Sequence, residues 1–259
     1  MHDLTDVGGD ERAVSEVIGY ALVFSLVLGA LVFAYTGGLG GLTDTRDVEQ
    51  VNNAERAFDV LANNFDKMGR GEAPHRAAEV KLHDSTLTTS DVHSASIRNE
   101  SGDTVAHFNQ HRPLRFEVNQ GSHVVYEHGA VFRVDDGHGS MTRKPDFVID
   151  ENRTVIRYIE STDFGGGGQS VSGDTTVLLR ASMTSSRHLY SNQSSEELTI
   201  SINTTEDRAD AWKSYLESEL PEGGECDAPV ENGDLVTITC RFETDSVHIT
   251  RSRIRMEMT

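Results

Sequence analysis

The chain of 259 residues carries 42 Asp and Glu against 23 Lys and Arg, a formal net charge of −19. Such a surface repels nucleic-acid phosphates and anionic lipid headgroups, so no nucleic-acid partner is expected, and it stays soluble in very high salt where its self-repulsion is screened. Lysine is scarce, four against nineteen arginines, which with the acidity reads as adaptation to high salt, an ordinary acidic surface being the alternative.

Residues 1–13 form a short acidic leader, and residues 14–36 are apolar apart from Glu16 and a few hydroxyls. As a helix the stretch from Val14 to Tyr35 rises about 33 Å, matching a hydrocarbon core of about 30 Å. A secretory signal peptide has a basic front, an apolar core of about 7 to 15 residues and a small-residue cleavage site behind it. Here the core is longer, and the small-residue site, Arg12-Ala13, lies in front. On length alone this is an uncleaved single-pass anchor whose orientation stays open, because Arg12 and Arg46 flank it evenly. Ala21, Ser25 and Gly29 recur every four residues and line one helix face with small side chains, which lets a neighbouring backbone approach. Small residues are also simply common in membrane helices. Glu16 is expensive in such a segment, so it should lie at the interface or find a partner.

The order of parts, acidic leader, "ERA", "VSEVIG", long apolar helix and then a soluble region, resembles the archaeal type IV pilin-like, or archaellin-like, family. The resemblance implies that a prepilin peptidase cuts on the cytoplasmic side, after a small residue that follows a charged one. By position, Arg12 is the charged residue, Ala13 the last of the leader and Val14 the new N-terminus. It also implies that the helix stays on the mature protein and packs among other pilin-like subunits, where Glu16 would meet the amino terminus of a neighbour. Two departures stand out: relatives often read "VSPVIG", with proline in place of Glu16, and the glutamate of bacterial pilins lies slightly deeper.

Beyond the span, "TGGLGG" predicts a hinge over residues 37–41, since each glycine costs about 1 kcal/mol relative to alanine in a helix. Residues 42–71 then read as an amphipathic helix. Val51, Ala54, Phe58, Leu61, Phe65 and Met68 alternate three and four apart, the spacing of a packed face, with a stop expected at Gly69 or Gly71. That face covers either the chain's own sheet or a neighbouring subunit. From residue 72 to 259 the period changes. Runs such as "LRFEV", "HVVYE", "AVFRV", "TVIRYI", "TTVLLRA", "ELTISI" and "LVTITCRF" alternate with Gly, Asn, Asp and Ser clusters, which predicts an antiparallel β-rich domain. A hairpin is expected at His128-Gly129, and "VFRVDDGHGS" reads as a strand leaving into a polar turn. The phrase "YEHGAVFRVDDG" resembles uncharacterised haloarchaeal pilin-like proteins. One later helix is predicted in "EDRADAWKSYLESEL", with Trp212, Tyr215, Leu216 and Leu220 on one face and Pro221 ending it. In the last strand Val247 and Ile249 fall in one phase and Ile254, Met256 and Met258 in the other, which suggests a bulge near Arg253. "GGGGQSVSG" reads as a flexible loop. The fold class expected is therefore α+β, a long hydrophobic helix followed by an antiparallel β-rich, pilin-like domain.

Four N-x-[ST] acceptors, at Asn99, Asn152, Asn192 and Asn203, fall in the β-rich region and none in leader or span. They point to glycosylation outside the cell, although a Ser/Thr-rich domain produces some by chance. Cys226 and Cys240 would close a loop of about fifteen residues, worth about 3 kcal/mol as a disulfide in an oxidising compartment, the alternative being buried thiols. Metal ligation is not expected. His107 and His111 in "HFNQH" could share an ion only on a helix, and on the predicted strand they stand about 13 Å apart. Asp135 and Asp136 read as solvated turn carboxylates rather than a calcium site. With no nucleophile elbow, phosphate loop or dinucleotide fingerprint, neither a cofactor nor an enzyme is expected. The function expected is that of a type IV pilin-like surface protein, a minor pilin or pseudopilin assembling through its N-terminal helix after leader cleavage. The alternative is an uncleaved, membrane-anchored extracellular binding domain.

Overall fold

The computed structural model describes residues 10–119 and 121–259, with the side chains of residues 10–16, 36–47 and 119 left out. Helix α1 (Asp10–Gly69) comes first, followed by β1 (His75–Lys81), β2 (Ser85–Thr89), β3 (His93–Arg98) and β4 (Thr104–His111). Next are β5 (Leu114–Asn119), β6 (Ser122–Glu127), β7 (Ala130–Asp135), β8 (His138–Arg143), β9 (Phe147–Val148) and β10 (Thr154–Asp163). Then follow β11 (Ser170–Gly173), β12 (Thr176–Asn192), β13 (Glu196–Thr204) and helix α2 (Glu206–Glu219). Strands β14 (Glu225–Cys226), β15 (Val230–Asn232), β16 (Leu235–Thr244) and β17 (Val247–Met258) complete the chain. The molecule is thus a β-rich domain preceded by an apolar helix. It divides into two compact units, residues 1–49 and 50–259.

The second unit holds three sheets, in the orders β1-β12-β17-β10-β9, β11-β2-β5-β6-β7-β8 and β14-β16-β13-β3-β4, with β15 on β16. Pairing is mostly antiparallel, as the strand pattern predicted. One pair departs from it: β10 and β17 run parallel over Thr154↔Val247 to Asp163↔Met256. A parallel pair needs a long crossover, and the chain from β11 to β16 supplies it. The tight turn at His128-Gly129 is present, with both residues at positive φ (50° and 91°) between β6 and β7. Asp136 and Gly137, also at positive φ (51° and 79°), make a second such turn between β7 and β8. Both have the backbone handedness that matches strand twist. The polar turn after "VFRV" is therefore itself a hairpin.

Two apolar cores organise this unit. One gathers Phe108, Phe132, Tyr158, Ile200, Trp212 and Ile238 between α2 and the sheets. The other is roofed by α1, whose stripe of Val51, Ala54, Phe58, Leu61, Phe65 and Met68 is buried against Leu87, Phe116, Val124 and Met256. The amphipathic face therefore covers the chain's own sheets. Ion pairs pin its polar edges: Arg143 reaches Asp59 at 2.6 Å and Asp66 at 2.8 Å. In α2 the buried residues include Trp212, Tyr215 and Leu216 of the predicted face, and the helix ends just before Leu220-Pro221.

Two expectations are corrected. Gly37 to Gly41, read as a hinge, lie inside α1. Glycine weakens a helix by about 1 kcal/mol per residue but keeps its own N–H and C=O, so the ladder on either side can run through it. The phase change in β17 is the other. No register shift interrupts its pairing with β10. The extra residues lie on the partner strand β12, between Met183 and Ser185 and between His188 and Tyr190. In β17 the buried side changes because Val247 and Ile249 face the first core while Ile254 and Met256 face the second. A strand whose two ends meet cores on opposite faces must switch parity, bulged or not.

Candidate functional site

In the first unit, α1 contains 19 residues, Val17–Tyr35, with mean hydropathy 2.5, long and apolar enough to cross a membrane, and none of them is buried. Tyr20 and Phe33 are 82% and 80% exposed. An exposed apolar surface of this extent is of the kind found on membrane anchors and signal sequences. Ala21, Ser25 and Gly29 share one helical face. The Ser25 hydroxyl donates to the Ala21 carbonyl at 2.7 Å, so its polarity is spent within the helix. A side chain added at Gly29 would meet nothing within 4 Å. The backbone of Arg12, Ala13, Val14 and Glu16 lies in α1, while leader residues 1–9 lie outside the described residues.

In the second unit, the polar side chains with most structure around them are buried. Glu127, fully buried at the end of β6, accepts hydrogen bonds from Thr204 Oγ1 (2.8 Å), Arg208 Nε (3.0 Å) and Trp212 Nε1 (3.1 Å), and from His93 Nδ1. His128, next in the chain, donates Nε2–H to the Asn203 carbonyl at 3.1 Å, so its Nδ1 accepts from the Tyr158 hydroxyl. Its backbone N–H donates to His111 Nε2 at 2.9 Å, and the other ring nitrogen of His111 lies 3.3 Å from the Ser161 backbone N and 3.1 Å from Ser161 Oγ. These residues come from β3, β4, β6, the β6–β7 turn, β10, β13 and α2. The network thus ties all three sheets to the second helix.

Electrostatics fixes its charge state. Burial raises the Glu127 carboxyl, but the Arg208 guanidinium and the His93 bond outweigh it and hold the group well below the usual carboxylate range. Burial lowers His128 from 6.5 to about 4. Burial, and then the neighbouring His128, pushes His111 well below its ordinary value. Burial also raises Tyr158, keeping it a phenol that can donate. The interior therefore holds one carboxylate–guanidinium pair with neutral His111 and His128 beside it. His93, Glu127 and His128 each offer an atom within 4.8 Å of the others, a spacing that could hold a metal ion. Arg208 argues against one, because its cation lies 3.0 Å from the carboxylate a metal would need, and both nitrogens of His128 are already committed. These bonds hold the three sheets and α2 together.

A model described as a family of unknown function, DUF7289, matches residues 12–257. The chain belongs to that family. No curated protein and no solved structure matches it. The DUF7289 match starts within α1, so it takes in the apolar segment as well as the β-rich domain.

Elsewhere in this DUF7289 chain the predicted positions are scattered. Cys226 and Cys240 are disulfide-bonded. Asn152 is exposed in a turn. Asn99 and Asn192 are partly exposed, and their side-chain oxygens accept local backbone N–H groups. Asn203 sits within β13, its amide donating to Ser94 at 2.9 Å and accepting from Thr237 at 2.9 Å, so that side chain is engaged in the sheet. His107 is exposed and His111 buried, both on β4. Sequence reasoning missed the Glu127 network because its members span residues 93 to 212; the one local signal was Glu-His placed just before a turn glycine.

Proposed function

We propose that this chain is a type IV pilin-like surface protein, a minor pilin or pseudopilin. The observation carrying the reading is the wholly exposed apolar segment Val17–Tyr35 ahead of a β-rich, disulfide-bonded domain. In this reading a prepilin peptidase removes residues 1–13, Val14 becomes the N-terminus, and the apolar helices of several subunits pack together. Ala21, Ser25 and Gly29 provide the close-approach face, where packing rather than hydrophobicity drives association. Glu16 pairs with a neighbour's new amino group, since an unpaired carboxylate in hydrocarbon costs several kcal/mol. The β-rich domain lies outside the cell, in strong salt, carrying glycans at the exposed sequons. No catalysis is assigned to it. A second reading, an uncleaved single-pass anchor, rests on the same 19 residues, because that length alone suffices to hold a domain on a bilayer.

Assembly separates the two. With Ser25→Cys in the native host, oxidative crosslinking in the surface fraction should give covalent dimers, and Gly29→Leu should abolish them by blocking the approach. Monomer throughout, in membranes that contain the protein at its normal level, would leave only the anchor.

A further inference from the structure

On a chain of net charge −19, positive charge nevertheless collects in one place. A groove of about 650 Å³ opens on the five-stranded sheet, lined by residues of β10, β12 and β17 and by the end of β4. Arg251, Arg253 and Arg255 occupy alternate positions of β17, which puts all three on one face about 7 Å apart. Their neighbours Ile254 and Met256 point the other way, into the second core. Arg187 of β12 lies directly opposite Arg251 in the register, an arrangement in which like charges repel. Arg112 adds a fifth guanidinium, held by the carbonyls of Ser90 and Gly166 at 2.9 Å each.

Two carboxylates from β10 face these five groups. Asp163 takes Arg112 at 3.3 Å. Buried Glu160 takes Arg253 at 2.9 Å and lies 3.8 Å from Arg251. Both are therefore committed. Arg251 Nε is buried without a hydrogen-bond partner, and among the described residues no carboxylate pairs with Arg187 or Arg255. Five cations against two anions, two of them directly opposed, is an arrangement that folding alone does not reward. An anion from outside resolves it.

The lining narrows the choice. Thr162, Thr184, Ser185 and Gln110 bring hydroxyls and an amide, and outside this lining Phe164, 57% exposed, lies beneath Arg255 with 6.0 Å between guanidinium and ring centroid. The arginines of β17 span about 14 Å, too far for one small oxyanion to bridge. A guanidinium fork matches carboxylate and sulfate oxygens two at a time, while hydroxyls and an aromatic face suit a sugar ring. We propose that this groove binds an acidic saccharide, a short stretch of glycan bearing carboxylate or sulfate groups.

Calorimetry on the full chain in neutral detergent, at the lowest ionic strength at which Trp212 fluorescence shows it folded, tests this, with a uronic-acid oligosaccharide, a sulfated one, a neutral one and inorganic sulfate as probes. At least one acidic oligosaccharide should bind, more weakly as salt is added, and the neutral one should not. Arg187→Gln and Arg255→Gln, which remove no ion pair and so spare the fold, should each weaken binding about tenfold, the loss of one charge-assisted contact. Arg98→Gln, at an exposed arginine outside the groove, should change nothing. The proposal fails if neither acidic oligosaccharide binds, if inorganic sulfate binds as tightly as they do, or if Arg98→Gln costs as much as the groove variants. Whichever acidic probe binds more tightly identifies the anion.

Discussion

Glu127 is wholly and Arg208 nearly out of solvent, so the carboxylate depends on the guanidinium for its counter-charge, while Arg208 also pairs with Asp207 at 3.2 Å. Glu127→Gln leaves the buried guanidinium with only the Asp207 carboxylate, 3.2 Å away and partly exposed, and should cost about 3 kcal/mol in unfolding free energy. Trp212, the sole tryptophan and itself bonded to Glu127, reports the change by fluorescence during denaturant unfolding. The same network sets a pH dependence. His128 titrates near 4 in the fold against 6.5 in its ordinary state. Between those values the unfolded chain binds a proton that the folded one refuses, so stability falls as pH drops from about 6.5 to about 4, by roughly 3 kcal/mol for this group. His111 shifts in the same direction and steepens the slope. Glu127 works lower: its contribution is complete above the ordinary carboxylate range and disappears as pH falls through its depressed folded value. His128→Phe should flatten the dependence above pH 4, whatever it does to absolute stability. An unchanged slope would mean the imidazole is not buried neutral.

At the scale of elements, helix α1 makes the clearest separation between its faces. Phe58 is fully buried under it and Val60, two residues on, is 55% exposed. Phe58→Ala should therefore cost about 3 to 5 kcal/mol, while Val60→Ala should stay within about 0.5 kcal/mol. Equal effects in denaturant midpoints would mean that the stripe does not cover the sheets. That stripe was legible in the sequence because a packed helix repeats its apolar positions, and the turn at His128-Gly129 because few residue pairs accept positive φ. Strands β1, β2 and β3 were not legible: "HRAAEVK", "STLTT" and "HSASIR" are short, polar or small in side chain, and the pairing that orders them is supplied by distant strands. The parallel union of β10 with β17 was hidden for the same reason. For the groove a signal did exist. In "RSRIR" the arginines alternate, and alternation on a strand means one face.

For the molecule as a whole, 42 acidic groups against 23 basic ones leave a repulsion that salt must screen. The unfolding midpoint should rise as salt goes from tens of millimolar to molar, where the Debye length falls from tens of ångströms to about 3 Å. A midpoint that drops with salt would place the stability in surface ion pairs instead. Neither the −19 charge nor the β-rich fold says how the chain is used; that rests on the first unit. The central claim is that residues 1–13 are removed and the apolar helix begins at Val14. Intact-mass and N-terminal peptide analysis of the protein taken from its native membrane or surface fraction decides it. The account predicts a chain that starts at Val14, and a leader that stays attached when Ala13 is made bulky, as in Ala13→Trp. A native chain that still begins at residue 1 or 2, and is indifferent to that substitution, contradicts it.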